Sequence, residues 1–422
     1  MEIFNSKVTR LVDLSNGGQM KSLAIVSSYN ELCGNASYTH VLKKEFERYY
    51  KVEVIPLDTQ LLRFTNKTFV QLGDEHIKQI AEKLRKFDYV NIQFESALFA
   101  RSTDIAFRRV LSLVDAAPNL VFTMHRVDVI TESLYWSMHE SYLRGSFINL
   151  IKELRSRYLY CRATGGLIKK LKKYSAKKNV WIMVHTKHDA EMIRRVFGFN
   201  NVVDHPLSYL NSEEIAKYKA DADQVKFKLR YKLPSDAKTV GIFGFISGYK
   251  GYDTAIRAMA YLPKNYHLLI FGGQHPLEIK ANCPVDPYIG SQIDLIEKGK
   301  LRRRIHFLGS VSDDDFINGL ICSDVTVLPY IEVGQSMSGN VALALEVGAR
   351  TIVSNSKTFL KLRRYLKDGF VSFDMGNYVE LAQKIANYDA DFSNELARYI
   401  GSYNIHTSGE AYKKMFEAAD SA

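Results

Sequence analysis

The 422-residue chain contains no apolar run that approaches the roughly 20 residues needed to cross a bilayer. Its opening stretch, MEIFNSKVTRLVDLSNGG, mixes acids, bases and polar residues where a secretory leader needs an apolar core. A membrane-spanning or exported protein is therefore not expected, and the cytoplasm is the default. Cysteine is sparse: Cys33, Cys161, Cys283 and Cys322 lie far apart, without the close pairs of a zinc site or the density of a disulfide scaffold. They read as free thiols. Repeats of fixed period and low-complexity tracts are missing, which excludes a solenoid. The GxGxxG dinucleotide fingerprint is missing too.

What the chain does have is a hydrophobic fraction of 46% beside 24% charged residues, the balance of a globular protein. Single cores stop growing beyond roughly 250–300 residues, so this length predicts two domains. The formal charge is +11, which suits nucleic acid, anionic lipid or an anionic substrate, so its placement matters more than its sum. Residues 152–178 carry ten Lys or Arg against the single acid Glu153, a net +9. Leu154, Tyr158, Leu159, Tyr160, Leu167, Ile168 and Leu171 interleave with these charges. Such a segment suits peripheral contact with an anionic membrane surface. It equally suits a solvated pair of helices with an apolar underside. No nucleic-acid recognition motif accompanies it, and no nucleic acid is expected as a partner.

The most informative stretch is 325–355, VTVLPYIEVGQSMSGNVALALEVGARTIVSN. Val325, Val327 and Leu328 form a short strand that Pro329 ends, since proline has no N–H for a ladder. Ser338 is an N-cap candidate, Val341, Leu343, Ala344 and Leu345 supply an apolar helix, and Gly348 is placed to end it before Ile352 and Val353 start the next strand. A βαβ unit of this kind binds ligands at the carboxyl ends of its strands. Glu332, Gln335, Ser336, Ser338 and Gly339 fall at that edge, where the free N–H groups of a helix start favour an anion such as a diphosphate. The same stretch also reads as an ordinary βα loop rich in small residues.

Similar units recur on both sides. Residues 23–26 form a strand that runs into a loop containing Gly34 and Asn35, then a helix, then a second strand at 52–55. Strands at 88–94 and 119–124 deliver Glu95 with Ser96, and His125 with Arg126, to the same edge. His185 and His188 follow a strand at 180–184, but no third ligand accompanies them and no metal is expected. The pattern breaks near His205–Pro206. It resumes with a strand at 238–245 whose exit loop carries Lys250 and Gly251, a permissive place to hold a phosphate with a point charge. Strands at 267–271, 304–308 and 370–373 complete a second alternating half. The domains predicted are 1–208, 209–400 and a last helical segment, 401–422.

In this order and spacing the motifs CGNASYTHVLKKEF (33–46), NIQFES (91–96), TMHRVD (123–128), FGFISGYKGYDTAIRA (243–258), FLGSVSDDDF (307–316) and LPYIEVGQSMSGNVALALEVG (328–348) resemble the GT-B glycosyltransferases, specifically the retaining, nucleotide-sugar-dependent family 4. The resemblance implies an α/β fold of two Rossmann-like, doubly wound domains facing a cleft. The acceptor would lie largely on the first and the sugar nucleotide largely on the second, with the segment 401–422 crossing back to the first. It implies that Gly34, with Asn35 beside it, lies near the donor phosphates. His125 would contact the transferred sugar, and Lys250 would neutralise the diphosphate. Glu332 resembles the acidic residue of the donor loop, and Gln335, Ser336, Ser338 and Gly339 would lie beside sugar and phosphates. No metal or other cofactor is implied. The activity implied is transfer of a hexose from a nucleoside-diphosphate sugar to a saccharide or lipid-linked acceptor in polysaccharide or glycoconjugate synthesis.

Two departures from the family pattern bear on this. An arginine that precedes the Lys-Gly pair in many members is replaced here by the run Gly244-Phe245. A second glutamate, usual eight positions after the first, falls at Leu343 when the helix is aligned on Gly348, and Glu346 is not its replacement. The alternative reading is therefore a catalytically silent GT-B scaffold or nucleotide-sugar-binding partner of another glycosyltransferase, and a nucleotide-sugar epimerase is a third.

Overall fold

The computed structural model describes residues 20–127, 147–274, 285–331 and 336–419. Short runs of β-branched and apolar residues form two six-stranded sheets in which every pairing is parallel. The first contains β1 (Ser22–Ser27), β2 (Lys51–Pro56), β3 (Tyr89–Phe94), β4 (Leu120–Met124), β5 (Val180–Val184) and β6 (Val202–Asp204), in the order β2-β1-β3-β4-β5-β6. The second contains β7 (Lys238–Phe243), β8 (Tyr266–Phe271), β9 (Ile305–Gly309), β10 (Val325–Leu328), β11 (Thr351–Ser354) and β12 (Val371–Phe373), in the order β12-β11-β10-β7-β8-β9. In each sheet the winding direction reverses once, between β1 and β3 and between β7 and β10. The crevice outside the carboxyl ends of the strands at such a reversal is where open α/β sheets take ligands.

Helices cover both faces of the sheets. On one face of the first sheet, Val26, Ile92, Phe94, Phe122 and Ile182 pack against α2 (Lys67–Leu84), α3 (Thr103–Ala116), α4 (Phe147–Ser175) and α5 (Lys187–Phe197). The other face meets α1 (Gly34–Phe46) and the last long helix, here α7 (Ile405–Phe416). Side chains alternate along a strand, so the odd-numbered residues of β3 and β4 point to this second face. Phe46, Tyr412 and Phe416 cluster there, and Asn179 Nδ2 donates to the carbonyls of Met415 and Phe416. The end of the chain is therefore pinned to the first sheet, although it follows the second. In the second sheet, α6 (Gly339–Glu346) lies between β10 and β11, and Gly348 at φ +72° ends its turn before β11.

The basic segment differs from the expected pair of helices: α4 is one helix of 29 residues. Leu167, Ile168 and Leu171 bury its C-terminal half, whereas Ile151, Tyr158 and Leu159 are exposed in its N-terminal half. The two sheets are also tied near their edges. Lys361 pairs at 3.1 Å with fully buried Asp189, Arg364 with Glu191 at 2.9 Å, and the Tyr365 hydroxyl donates to Asp204 at 2.8 Å.

Candidate active site

The exit of β7 is shaped by glycines. Gly244 sits at φ +96°, and an added Cβ there would collide with Lys250 Nζ and Asn340 Nδ2. Gly251 sits at φ +67°, and a Cβ there would overlap the Pro329 carbonyl oxygen. These two positions let the loop carrying Lys250 fold down against the exit of β10, where Ile331 N–H donates to Tyr249 O at 2.7 Å. Lys250 is consequently only 7% exposed. Among the described residues its ammonium has no hydrogen-bond acceptor and no carboxylate partner. It lies against Gly244, in the space a side chain there would need. Burial alone lowers its pKa to about 8. A desolvated cation with no counter-charge among the described residues, at the winding reversal of the second sheet, is chemically prepared for an anion.

The exit of β10 supplies the opposite wall. Ser338 occupies the N-cap position of α6, as the pattern predicts, but its hydroxyl does not cap the helix; it pairs with the Tyr330 hydroxyl at 3.1 Å. The first-turn N–H groups of α6 thus have no side-chain cap and remain available to a ligand. Asn340 Nδ2 donates to Phe243 O at 2.7 Å and to the Tyr330 hydroxyl at 3.0 Å, holding the exits of β7 and β10 together. Asn340→Leu should cost about 1–2 kcal/mol through loss of these bonds, read as a lower urea midpoint with unchanged slope. Ser336 and Ser338 are both buried, and Ser336 Oγ accepts from Val127 N–H at 3.3 Å, across to the exit of β4. Gly339 faces the Tyr209 hydroxyl so closely that a methyl group would collide with it. Glu332 and Gln335 lie outside the described residues, as does the loop between them.

On the first sheet, Gly34 opens α1 with free space around it, and Asn35 follows in the same turn. One turn on, the Tyr38 ring meets His125 and His185 edge-on, each at 5.7 Å between centroids, and Tyr209 at 5.6 Å. His125 stands directly after β4, with its ring 5.0 Å from that of His185. Its Nε2 is 2.7 Å from Gln93 Oε1. Burial, reinforced by His185, pulls the His125 pKa well below the ordinary histidine value, so the ring is neutral. His185 is lowered by burial to about 4 and donates from Nδ1 to His205 O at 3.1 Å. His205, also lowered by burial to about 4, bonds Thr407 Oγ1 of α7 at 2.9 Å. His185 is thus part of this buried cluster. Among the described residues no group of three or more His, Cys, Asp or Glu is arranged to hold a metal ion.

Contacts join these positions: Ser336 bonds Val127, two residues after His125, and Ser338 and Asn340 both bond Tyr330. Asn340 and Lys250 lie beside Gly244, and Gly339 faces Tyr209, which with His125 meets the Tyr38 ring of the helix that Gly34 and Asn35 begin. Residue patterns did not point to Asn91, Gln93, Thr123, Tyr209, Asn340 or Tyr412. Asn91 and Gln93 were visible in principle, as two polar residues on one face of a strand, YVNIQF, that is otherwise fully apolar. Tyr209 and Tyr412 were not, because they come from the connection between the sheets and from the far end of the chain.

Residues 223–406 match the family described as glycosyl transferases group 1. No curated protein sequence matches the chain. Among solved structures, HepE of Anabaena in complex with UDP superposes with a TM-score of 0.63 at 13% identity, covering 94% of this chain and 100% of that one. Sucrose-phosphate synthase from Thermosynechococcus elongatus gives 0.67 at 15% identity, covering 94% and 100%. WaaG, a glycosyltransferase involved in lipopolysaccharide biosynthesis, gives 0.61 at 13% identity, covering 93% and 99%. At these identities the likeness is one of fold.

Proposed function

We propose that this chain, a glycosyltransferase of GT-B fold whose residues 223–406 belong to the glycosyl transferases group 1, moves a hexose with retention from a nucleoside-diphosphate sugar to a saccharide or lipid-linked acceptor. The observation that carries the reading is Lys250, a buried ammonium with no counter-charge among the described residues, beside the uncapped start of α6. Charge develops on the departing diphosphate as the sugar leaves, and a fixed cation with oriented N–H groups stabilises it more in a low-dielectric crevice than water would. No metal is needed for that step. His125, neutral and facing the same crevice, contacts the transferred hexose. The acceptor hydroxyl attacks from the side the diphosphate leaves, a donor phosphate oxygen takes its proton, and no side chain serves as general base.

A thermal-shift screen against UDP, GDP, ADP, CMP and TDP, with and without Mg²⁺, tests this, because a ligand bound only by the native state raises the melting temperature. We expect a shift with one diphosphate that does not depend on Mg²⁺ and disappears in Lys250→Ala. Binding without turnover on any acceptor would instead favour a silent scaffold, a reading for which the run Gly244-Phe245 and Leu343 speak, where many family members carry the arginine and the second glutamate.

The exposed part of α4 supports peripheral membrane contact. Ile151, Tyr158 and Leu159 are exposed alongside Lys152, Arg155 and Arg162, so apolar and cationic groups share one solvent-facing stretch. Each Lys or Arg near an anionic surface contributes about 1 kcal/mol at moderate ionic strength. Co-sedimentation with phosphatidylglycerol-containing vesicles should therefore weaken as salt is raised, and Lys152→Glu with Arg155→Glu and Arg162→Glu should release the protein. Unchanged binding by that variant would sink the idea. Among the described residues no helix is long and apolar enough to cross a membrane.

A further inference from the structure

Behind His125 lies a row of buried polar side chains whose hydrogen-bond directions can be worked out from one fixed point. On the second face of the first sheet, Asn91 and Gln93 of β3 stand opposite Val121 and Thr123 of β4 in the strand register. All three polar residues, Asn91, Gln93 and Thr123, are fully buried. The fixed point is the Val121 carbonyl, which can only accept. The Asn91 nitrogen bonded to it at 2.9 Å must therefore be the amide donor, and Asn91 Oδ1 must be the acceptor that faces Gln93. Gln93 accordingly turns Nε2 toward Asn91 and Oε1 toward His125. An amide oxygen can only accept, so the His125 nitrogen 2.7 Å away, Nε2, must carry the hydrogen.

The far end of the row is closed by the last helix. Thr123 Oγ1 receives Asn91 Nδ2 at 3.0 Å and Gln93 Nε2 at 3.4 Å, which leaves its own hydrogen for the Tyr412 hydroxyl at 2.8 Å. Tyr412, fully buried on α7, in turn has a side-chain hydrogen bond with Tyr38. The ring of His125 has its other nitrogen left over. Nδ1 has no hydrogen-bond partner among the described residues, and His125 keeps a part-exposed edge toward the crevice.

We propose that Gln93 is a positioning residue that holds His125 in the Nε2–H tautomer, so that Nδ1 presents a lone pair to a hydroxyl of the bound sugar, and that Asn91, Thr123 and Tyr412 keep Gln93 from flipping. This deepens the glycosyl-transfer reading and rests on it only for the identity of the hydroxyl. His125 on this assignment recognises its ligand as a hydrogen-bond acceptor. An analogue whose hydroxyl at that position is replaced by hydrogen loses the bond, and one with an acceptor-only group there meets lone pair against lone pair. Among the described residues the titratable groups facing the ring are Tyr38 of α1 and His185 after β5, while the neighbouring Arg126 is turned onto the ring of Tyr160 in α4 at 5.7 Å.

The test is the nitrogen spectrum of the full chain labelled with ¹⁵N-histidine, with His125→Gln to assign the resonance. The expected result is one neutral tautomer, protonated at Nε2, from pH 6 to pH 9, and a mixture of tautomers in Gln93→Leu and in Asn91→Leu. Gln93→Glu, close in shape and suited to a variant that must fold, replaces the amide oxygen by a carboxylate that favours the imidazolium, so His125 should titrate at least one pH unit higher than in the parent. An Nδ1–H tautomer in the parent, an unchanged tautomer in folded Gln93→Leu, or no upward shift in Gln93→Glu each overturns the assignment. None of these readouts depends on turnover. A parent protein that binds no nucleoside diphosphate would remove the transferase reading and leave the tautomer result standing or falling by itself.

Discussion

Replacing Lys250 by methionine should give a protein that is more stable than the parent by about 3 kcal/mol at pH 7 and has lost its grip on nucleoside diphosphates. The stability gain follows from linkage. The ammonium is almost entirely buried, and its pKa is about 8 in the folded chain against an ordinary lysine value of 10.5. Each unit of difference is worth about 1.4 kcal/mol, so holding the charged form costs about 3 kcal/mol wherever the group is protonated in both states. That cost is present in full below pH 8. Between pH 8 and 10.5 the unfolded chain binds a proton that the native one has released, so the parent's stability rises with pH and the advantage of Lys250→Met shrinks to nothing. Urea unfolding of both proteins at pH 7 and pH 10.5 reads both ends of this window, and equal stability at pH 7 would show that Lys250 is solvated after all.

The loss of binding has the same origin. A desolvated cation with no partner among the described residues gains an anion without giving one of them up, and removing one member of such a buried pair costs on the order of 100-fold or more in affinity. The intact diphosphate of a sugar nucleotide keeps a constant charge across neutral and mildly alkaline pH. Its affinity for the parent should therefore fall as pH rises above about 8, as Lys250 loses its proton. In Lys250→Met the weak residual affinity should show no such step. A residue that lowers stability while providing the charge complement of the crevice is what a site selected for binding rather than for packing would hold.

The alternation of strand and helix was legible because apolar runs and glycine stops are local signals. The strands read at 23–26, 88–94, 119–124, 180–184, 238–245 and 267–271 lie on β1, β3, β4, β5, β7 and β8 to within a residue or two at either end. The unit at 325–355 holds β10, α6 and β11 as read. The site was legible only where its residues sit at strand exits, as Lys250, His125 and Ser338 do. What the cap residue does was not: Ser338 is in the right place, yet its hydroxyl goes to Tyr330, a choice decided by a side chain eight positions earlier on the other side of a loop. The absence of an arginine near Gly244 also takes on a physical sense, since Lys250 and Asn340 already occupy the space beside that residue. Long-range partners such as Tyr209 and Tyr412 carry no local signature at all. The basic run gave its charge but not its shape, because composition cannot distinguish one helix from two.

Glu346 should make the protein less stable as pH rises from about 4.5 to 8, and Glu346→Gln should abolish that slope. The side chain is 1% exposed at the end of α6. One oxygen accepts Tyr209 N–H at 2.8 Å, with Leu210 N–H as a further backbone donor, while the other oxygen is buried without a partner. The backbone donors favour the carboxylate, but burial outweighs them and raises the pKa from 4.5 to about 8. Below pH 4.5 both folded and unfolded chains carry the proton and nothing is lost. Between 4.5 and 8 the native state keeps a proton that the unfolded state has released, so stability falls with pH, by about 4–5 kcal/mol over the whole window. Glutamine keeps an oxygen for the two N–H groups and cannot ionise. The difference in unfolding free energy between Glu346→Gln and the parent should therefore grow from pH 5 to pH 8 and then level off. A flat difference would mean that water reaches the second oxygen. This carboxyl also pins the connection between the two sheets to α6, and Tyr209 in turn bears on Gly339 and Tyr38. Only the unfolded chain ionises through this window, while native Glu346 keeps its proton, so the parent's nucleotide affinity should stay level between pH 5 and 8 as its stability falls, and the glutamine variant should match that affinity without the fall in stability.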